Sequence, residues 1–373
     1  MPDVEAVLGS LRRAPDVEAV NLHAVDASDR LILAEAAHLL TSAIAGSVVT
    51  IGDRYGALTL GAAAAHGISD IRVYQDPLTS ERALARNAAS LDLSEVYSNH
   101  DLGPDLLRGA TVVLMQLPRS LAELAELTQA VAQWADPSVR IVAAGRLKHM
   151  TRSMNDVLGA SFRDVAATRA VQKSRGLLAG DPIPGVVVSY PLRTTIPDLD
   201  LTVVAHGAVF SGDRLDIGTR FLYGFLDRID VDASRIVDLG CGSGILAVRA
   251  AQLRPTASVI ATDRSSAAVA SALATAEAAG VRIDVVRDDA MASEVDGSAD
   301  VIVCNPPFHE NAALHTGGAE KLFAAAHRVL RPGGQMWTVY NSHLRFKPML
   351  SRVVGPTEEV GRNAKFTVTR SAR

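Results

Sequence analysis

From residue 235 onward, apolar runs of strand length alternate with stretches whose apolar residues recur at helical spacing. The runs 235–240, 258–263, 282–287, 299–304 and 335–340 predict strands. Residues 244–253, 266–279 and 319–330 predict helices, the last stopped by Arg331-Pro332-Gly333-Gly334. Such alternation predicts a doubly wound α/β fold around a parallel sheet. Sliding the chain over itself by 188 residues repeats the outline in the first half: Gly240 and Gly244 fall on Gly52 and Gly56, Asn305-Pro306 on Leu117-Pro118, and Gly333 on Gly145. The chain therefore reads as two tandem copies of one Rossmann-like α/β domain. The polar groups are not kept. Asp238 becomes Thr50, Gly242 becomes Arg54, Asp263 becomes Gln75 and Asn305 becomes Leu117, so the N-terminal copy is expected to be degenerate. Two prolines and a glycine at Asp181-Pro182-Ile183-Pro184-Gly185 mark the break. The expected division is a degenerate domain over 1–180, a linker over 181–198 and an active domain over 199–373.

With 373 residues, 48% hydrophobic and 21% charged, the composition excludes a disordered chain and a membrane-spanning one. Cys241 and Cys304 are the only cysteines, which excludes a disulfide framework and a four-cysteine zinc site; no metal is expected. The N-terminus Met1-Pro2-Asp3-Val4-Glu5 is acidic where an export signal is basic, so a cytoplasmic protein is expected. A net charge of −4 argues against a chain that simply coats nucleic acid, but the charge is segregated. Residues 140–175 hold Arg140, Arg146, Lys148, Arg152, Arg163, Arg169, Lys173 and Arg175 against Asp156 and Asp164. The tail from Arg345 to Arg373 is basic as well.

Candidate chemistry is confined to the second copy. Asp238-Leu239-Gly240-Cys241-Gly242-Ser243-Gly244 closes a strand and opens a helix, where glycines let the backbone approach a ligand. Asp263, 25 residues after Asp238, ends the next strand, where a carboxylate accepts both hydroxyls of a ribose. A nicotinamide dinucleotide and S-adenosylmethionine share that geometry. The G-x-G-x-G spacing behind an acid favours S-adenosylmethionine, whose amino-acid end is cationic, over a diphosphate. Cys304-Asn305-Pro306-Pro307-Phe308 ends the fourth strand at two prolines that donate nothing to the ladder. There the Asn305 oxygen and the Pro306 carbonyl can accept the two N–H bonds of a planar amine, and Phe308 offers a ring for stacking. Positioning and polarisation of that amine would suffice for catalysis.

These motifs resemble the class I methyltransferases that act on an amino nitrogen. With Val209-Phe210-Ser211, Leu215-Asp216-Ile217-Gly218-Thr219, His309, Asn341-x-His343-Leu344 and Asn363-x-Lys365-Phe366, the chain resembles bacterial rRNA guanine-N2 methyltransferases of the RsmC and RlmG type, its tail siding with RlmG. The resemblance implies two class I methyltransferase domains, the first degenerate, and transfer from S-adenosylmethionine to the N2 amine of a guanine in ribosomal RNA. It implies cofactor contacts at Asp238, Gly240, Cys241, Gly242, Gly244, Asp263, Arg264, Asp289, Ala290 and Asn305. It places the target amine at Asn305, Pro306 and Phe308, and RNA contacts at Phe210, His309 and His343; the basic island, with Arg146, Lys148 and Arg152, is expected from its charge to supply phosphate contacts. The expected partner is ribosomal RNA or an assembly intermediate, and the expected state is a monomer. The alternatives are a release-factor glutamine or adenine-N6 enzyme with the same tetrapeptide, or a noncatalytic ribosome-assembly factor.

Overall fold

A computed structural model of the protein describes residues 4–212, 214–306 and 312–373, with the backbone alone for 312–316. The chain divides into two compact units at Tyr190/Pro191. The stretch expected as a linker, 181–198, holds the end of one strand, the whole of another and this division.

The first unit carries β1 (Val48–Ile51), β2 (Ile71–Tyr74), β3 (Tyr97–Asn99), β4 (Val112–Gln116), β5 (Arg140–Arg146), β6 (Phe162–Ala167) and β7 (Ser174–Pro182) in one sheet of order β3-β2-β1-β4-β5-β7-β6. The second opens with a hairpin of β8 (Leu192–Ile196) and β9 (Leu201–Ala205), which the sequence pattern did not suggest. Ser271 and Thr275 of the helix Ser266–Ala278 hold it, through His206 N to Ser271 Oγ at 3.0 Å and Val204 N to Thr275 Oγ1 at 3.0 Å. Then come β10 (Arg235–Leu239), β11 (Ser258–Asp263), β12 (Asp284–Arg287), β13 (Ala299–Cys304), β14 (Leu330–Asn341), β15 (Thr357–Arg362) and β16 (Phe366–Ala372), in the order β12-β11-β10-β13-β14-β16-β15. The five strands β10 to β14 are parallel neighbours, and β16 runs antiparallel to β14.

The two orders are the same, and the duplication extends to single contacts. The helices Leu78–Ser90 and Ser266–Ala278 stand 188 residues apart at both ends. A Cβ on Gly56 would meet Leu84 at 2.8 Å, and one on Gly244 would meet Ala272, the residue 188 beyond Leu84, also at 2.8 Å. In both copies a glycine lets the first crossover helix approach the second more closely than any side chain would allow. Alternate residues along β13 enter separate clusters: Val301 and Val303 pack on one face, Ile302 and Cys304 on the other. Both faces of the sheet are therefore covered, as a parallel sheet requires. The expected helix over 319–330 begins earlier, at Ala312, and ends at Val329. Leu330 already pairs with Ala299 in β14, which runs through the expected turn 331–334, with a register shift before Val301 pairs with Gln335. No helix among the described residues is long and apolar enough to cross a membrane.

Candidate active site

Buried, β-rich strands β10, β11 and β13 all end on one edge of the second sheet, and the candidate residues gather there. This is the edge at which open α/β sheets bind ligands, beside the strand where the order reverses. Between β10 and the helix Ile245–Leu253, Gly240, Gly242 and Gly244 all adopt left-handed φ values of 74°, 53° and 80°. Added Cβ atoms on Gly240 or Gly242 would meet nothing within 4 Å, so the loop leaves open space there. The amides of Gly240 and Cys241 donate to the Thr262 carbonyl at 2.8 and 3.1 Å, tying the loop to the end of β11.

Asp238 lies beneath this loop, 1% exposed. Its Oδ2 accepts from Ala247 N at 3.0 Å and so anchors the start of the helix, while Oδ1 has no partner among the described residues. Burial, followed by the charge of Asp263, raises its pKa to about 7 despite the Ala247 amide. Asp263 is half-buried at the end of β11; its Oδ2 accepts from Gly242 N at 3.1 Å and its Oδ1 from Ser265 N at 3.0 Å. It is the acid nearer solvent and is bonded directly to the glycine loop. Arg264 is exposed beside it.

Asn305 follows β13, with Pro306 buried behind it. Its Nδ2 donates to Asp216 Oδ2 at 3.0 Å and to Thr219 Oγ1 at 2.9 Å, while its Oδ1 is buried without a partner among the described residues. Asp216 caps the helix Ile217–Tyr223 by accepting from Thr219 N at 2.9 Å. The segment ahead of β10, expected from the sequence to lie close to cofactor and substrate, thus reaches the end of β13.

The other expected residues are placed less centrally. Asp289 is paired with Lys321 at 2.5 Å, and Ala290 has a left-handed φ of 55°. Its neighbour Asp288 is buried and organises the turn, accepting from Asp289 N and from Ser293 N at 2.7 Å each. Phe210 is 55% exposed, and His343 is exposed on the turn Ser342–Leu344. Phe308 and His309 lie outside the described residues. Burial pushes the thiols of Cys241 and Cys304 upward, so neither is a thiolate at neutral pH.

In the first unit the corresponding edge has been rebuilt. Gly52, Arg54 and Gly56 keep the three left-handed conformations, at 69°, 61° and 98°, although an arginine occupies the middle place. Asp53 is buried and accepts from Leu58 N at 2.7 Å and Thr59 N at 2.8 Å. It thereby anchors the helix start as Asp238 does, from a different position in the loop. Thr50, in the place of Asp238, bonds Thr59 Oγ1 at 2.8 Å.

Residues 4–182 match the RLMG N-terminal domain, and residues 200–370 match the methyltransferase small domain. The solved structure of the 16S rRNA N2 methyltransferase RsmC of T. thermophilus, in complex with AdoMet and guanosine, superimposes with a TM-score of 0.71. It covers 90% of this chain and 91% of its own at 19% identity, a likeness of fold. The ribosomal RNA large subunit methyltransferase G of Streptomyces avermitilis is 36% identical over 98% of this chain and 97% of its own length. The protein of the same name from Pseudomonas syringae is 33% identical over 97% of each. At that identity over nearly the full length of both partners, the chain belongs to the ribosomal RNA large subunit methyltransferase G family.

Proposed function

We propose that the chain methylates the exocyclic N2 of a guanine in large-subunit ribosomal RNA, with S-adenosylmethionine as donor. The observation that carries this reading is the buried, unpartnered Oδ1 of Asn305, held at the end of β13 on the edge that carries the glycine loop. A buried acceptor left without a partner costs about 1–3 kcal/mol, so its retention points to a ligand donor.

The residues present fit the cofactor. Asp263 stands where a ribose would be held, the open faces of Gly240 and Gly242 leave room for a close approach, and Asp238 lies beneath the loop with Oδ1 unpartnered among the described residues. Arg264, Asp289 and Ala290 would border the adenine end, with Cys241 contributing backbone. When bound, S-adenosylmethionine supplies an electrophilic methyl group on a cationic sulfur. The chain's own contribution is to hold the amine. Asn305 Oδ1 and the Pro306 carbonyl accept its two hydrogens, which opposes delocalisation of the nitrogen lone pair into the ring and directs it out of the base plane. Phe308 would stack on the base, and Phe210, His309 and His343 would border the RNA.

The first unit supplies the grip on RNA. Arg140 pairs with Asp164 at 2.9 Å and Arg163 with Asp181 at 3.4 Å, but Arg146, Lys148, Arg152, Arg169, Lys173 and Arg175 have no carboxylate partner among the described residues. Partial burial, then the nearby charges of Arg119, Lys148, Arg54 and Arg146, lower the pKa of His149. Cations from three separate segments therefore converge on the rebuilt edge, and Arg54 and Arg119 lie outside the basic island of the sequence. Replacing Arg146, Lys148 and Arg152 together by alanine should weaken RNA binding. Its log-log salt slope should fall by about 0.7 for each single-strand phosphate that is no longer neutralised. Cofactor binding should not change. The same affinity and slope in a filter-binding titration would remove these residues from the interface.

The enzymatic reading is tested by incubating the protein with large-subunit RNA and radiolabelled S-adenosylmethionine, then digesting to nucleosides. Label should run as N2-methylguanosine; label in N6-methyladenosine, or none, would overturn the assignment.

A further inference from the structure

We infer that Asp216, Gly218 and Thr219 are positioning residues that fix which end of the Asn305 amide faces the target, and thereby make the site select a base bearing an amino group. The inference rests on the reading of Asn305 as the acceptor for the target amine. An asparagine amide has two ends of nearly equal shape and opposite hydrogen-bonding sense, so rotation about its last bond would replace the acceptor by a donor. A carboxylate only accepts. Because its Oδ2 lies 3.0 Å from Asn305, the amide end facing it must be the NH2 group. Thr219 Oγ1 takes the second hydrogen at 2.9 Å. Both donors of Asn305 are thus consumed inside the protein, and Oδ1 is the only end left to a ligand. Turning the amide over would set two oxygen acceptors against each other at the Asp216 contact.

The carboxylate is held in turn. Thr219 N donates to the same Oδ2 at 2.9 Å, and a Cβ on Gly218 would lie 3.0 Å from Asp216 Oδ2 and 3.1 Å from the Phe366 ring. Glycine at 218 therefore leaves the carboxylate the space it occupies. The acceptor at Oδ1 suits a base that offers an N–H at this edge, whereas a base without the amino group leaves the buried oxygen unpaired.

The test uses the full chain with Asp216→Ser. A serine oxygen still accepts from Thr219 N and caps the helix, but it is too short to reach Asn305. Turnover should fall by roughly 10- to 100-fold, as small misplacements of reacting groups do, with S-adenosylmethionine affinity and the thermal midpoint close to wild type. Asp216→Asn keeps a carbonyl oxygen in place of Oδ2 and should recover most of the turnover. Guanosine should inhibit the wild type more strongly than inosine, which lacks the 2-amino group, and the difference should shrink in Asp216→Ser as the amide becomes free to turn. In an Asn305→Ala background the serine substitution should have no further effect on turnover. Gly218→Ala, which leaves the cap residue intact, should lower turnover in the same direction and provides the result if Asp216→Ser does not fold. Wild-type turnover and base discrimination in Asp216→Ser or Gly218→Ala, or an equal loss with and without Asn305, would overturn the inference. If the underlying reading were wrong, the wild-type protein itself would put no label on guanine N2.

Discussion

Replacing Asn305 by alanine should lower methyl transfer by about 100- to 1000-fold while S-adenosylmethionine binds as before. The magnitude is that of removing one preorganised acceptor from a site where it acts on the reacting group. The fold should tolerate the change. Asp216 Oδ2 keeps its bond from Thr219 N, Pro306 still ends β13, and the unpartnered Oδ1 is itself removed. Single-turnover assays with radiolabelled donor, paired with calorimetric titration of the cofactor, separate the two effects. Near-normal turnover would mean that Asn305 does no more than end a strand. Weaker cofactor binding with unchanged chemistry would place the residue in the donor pocket rather than against the amine.

What the sequence made legible in this site was what the backbone demands locally. The glycines at 240, 242 and 244 are needed because the turn adopts left-handed conformations, and at 244 because a second helix comes within 2.8 Å of where a side chain would start. The strand ends at Asp263 and Asn305 were legible for the same reason, since an apolar run stops at each. Contacts across the fold were not. Asp216 and Asn305 are 89 residues apart, and nothing in either segment reveals their hydrogen bond. Nor does the motif show that Asp238 spends one oxygen on a helix amide. The first unit shows why pattern alone misleads here: Asp53 anchors the same helix start from three residues further on, so the loss of the acid at Thr50 left the fold intact. The hairpin of β8 and β9 escaped notice because its first strand falls in the stretch expected as a linker, and it is secured by the small side chains of a distant helix.

Asp263→Ala should weaken S-adenosylmethionine binding by about 1.5–3 kcal/mol, or roughly 10- to 150-fold, because the charged acceptor proposed for the ribose hydroxyls is lost. The residue acts twice in this structure. Its Oδ2 also holds Gly242 N at 3.1 Å and its Oδ1 holds Ser265 N at 3.0 Å, so alanine would loosen the glycine loop as well as remove the ligand's acceptor. Asp263→Asn separates the two roles. An amide oxygen still accepts one of these backbone N–H bonds, but the charge and one acceptor are gone, so its loss of affinity should fall between wild type and alanine. Calorimetry should also give one site per chain. In the first unit the place of Asp263 is taken by Gln75 and that of Gly242, where a Cβ would meet open space, by an exposed Arg54 with a left-handed φ of 61°. A stoichiometry of two, or binding that survives Asp263→Ala unchanged, would move the cofactor away from the end of β11.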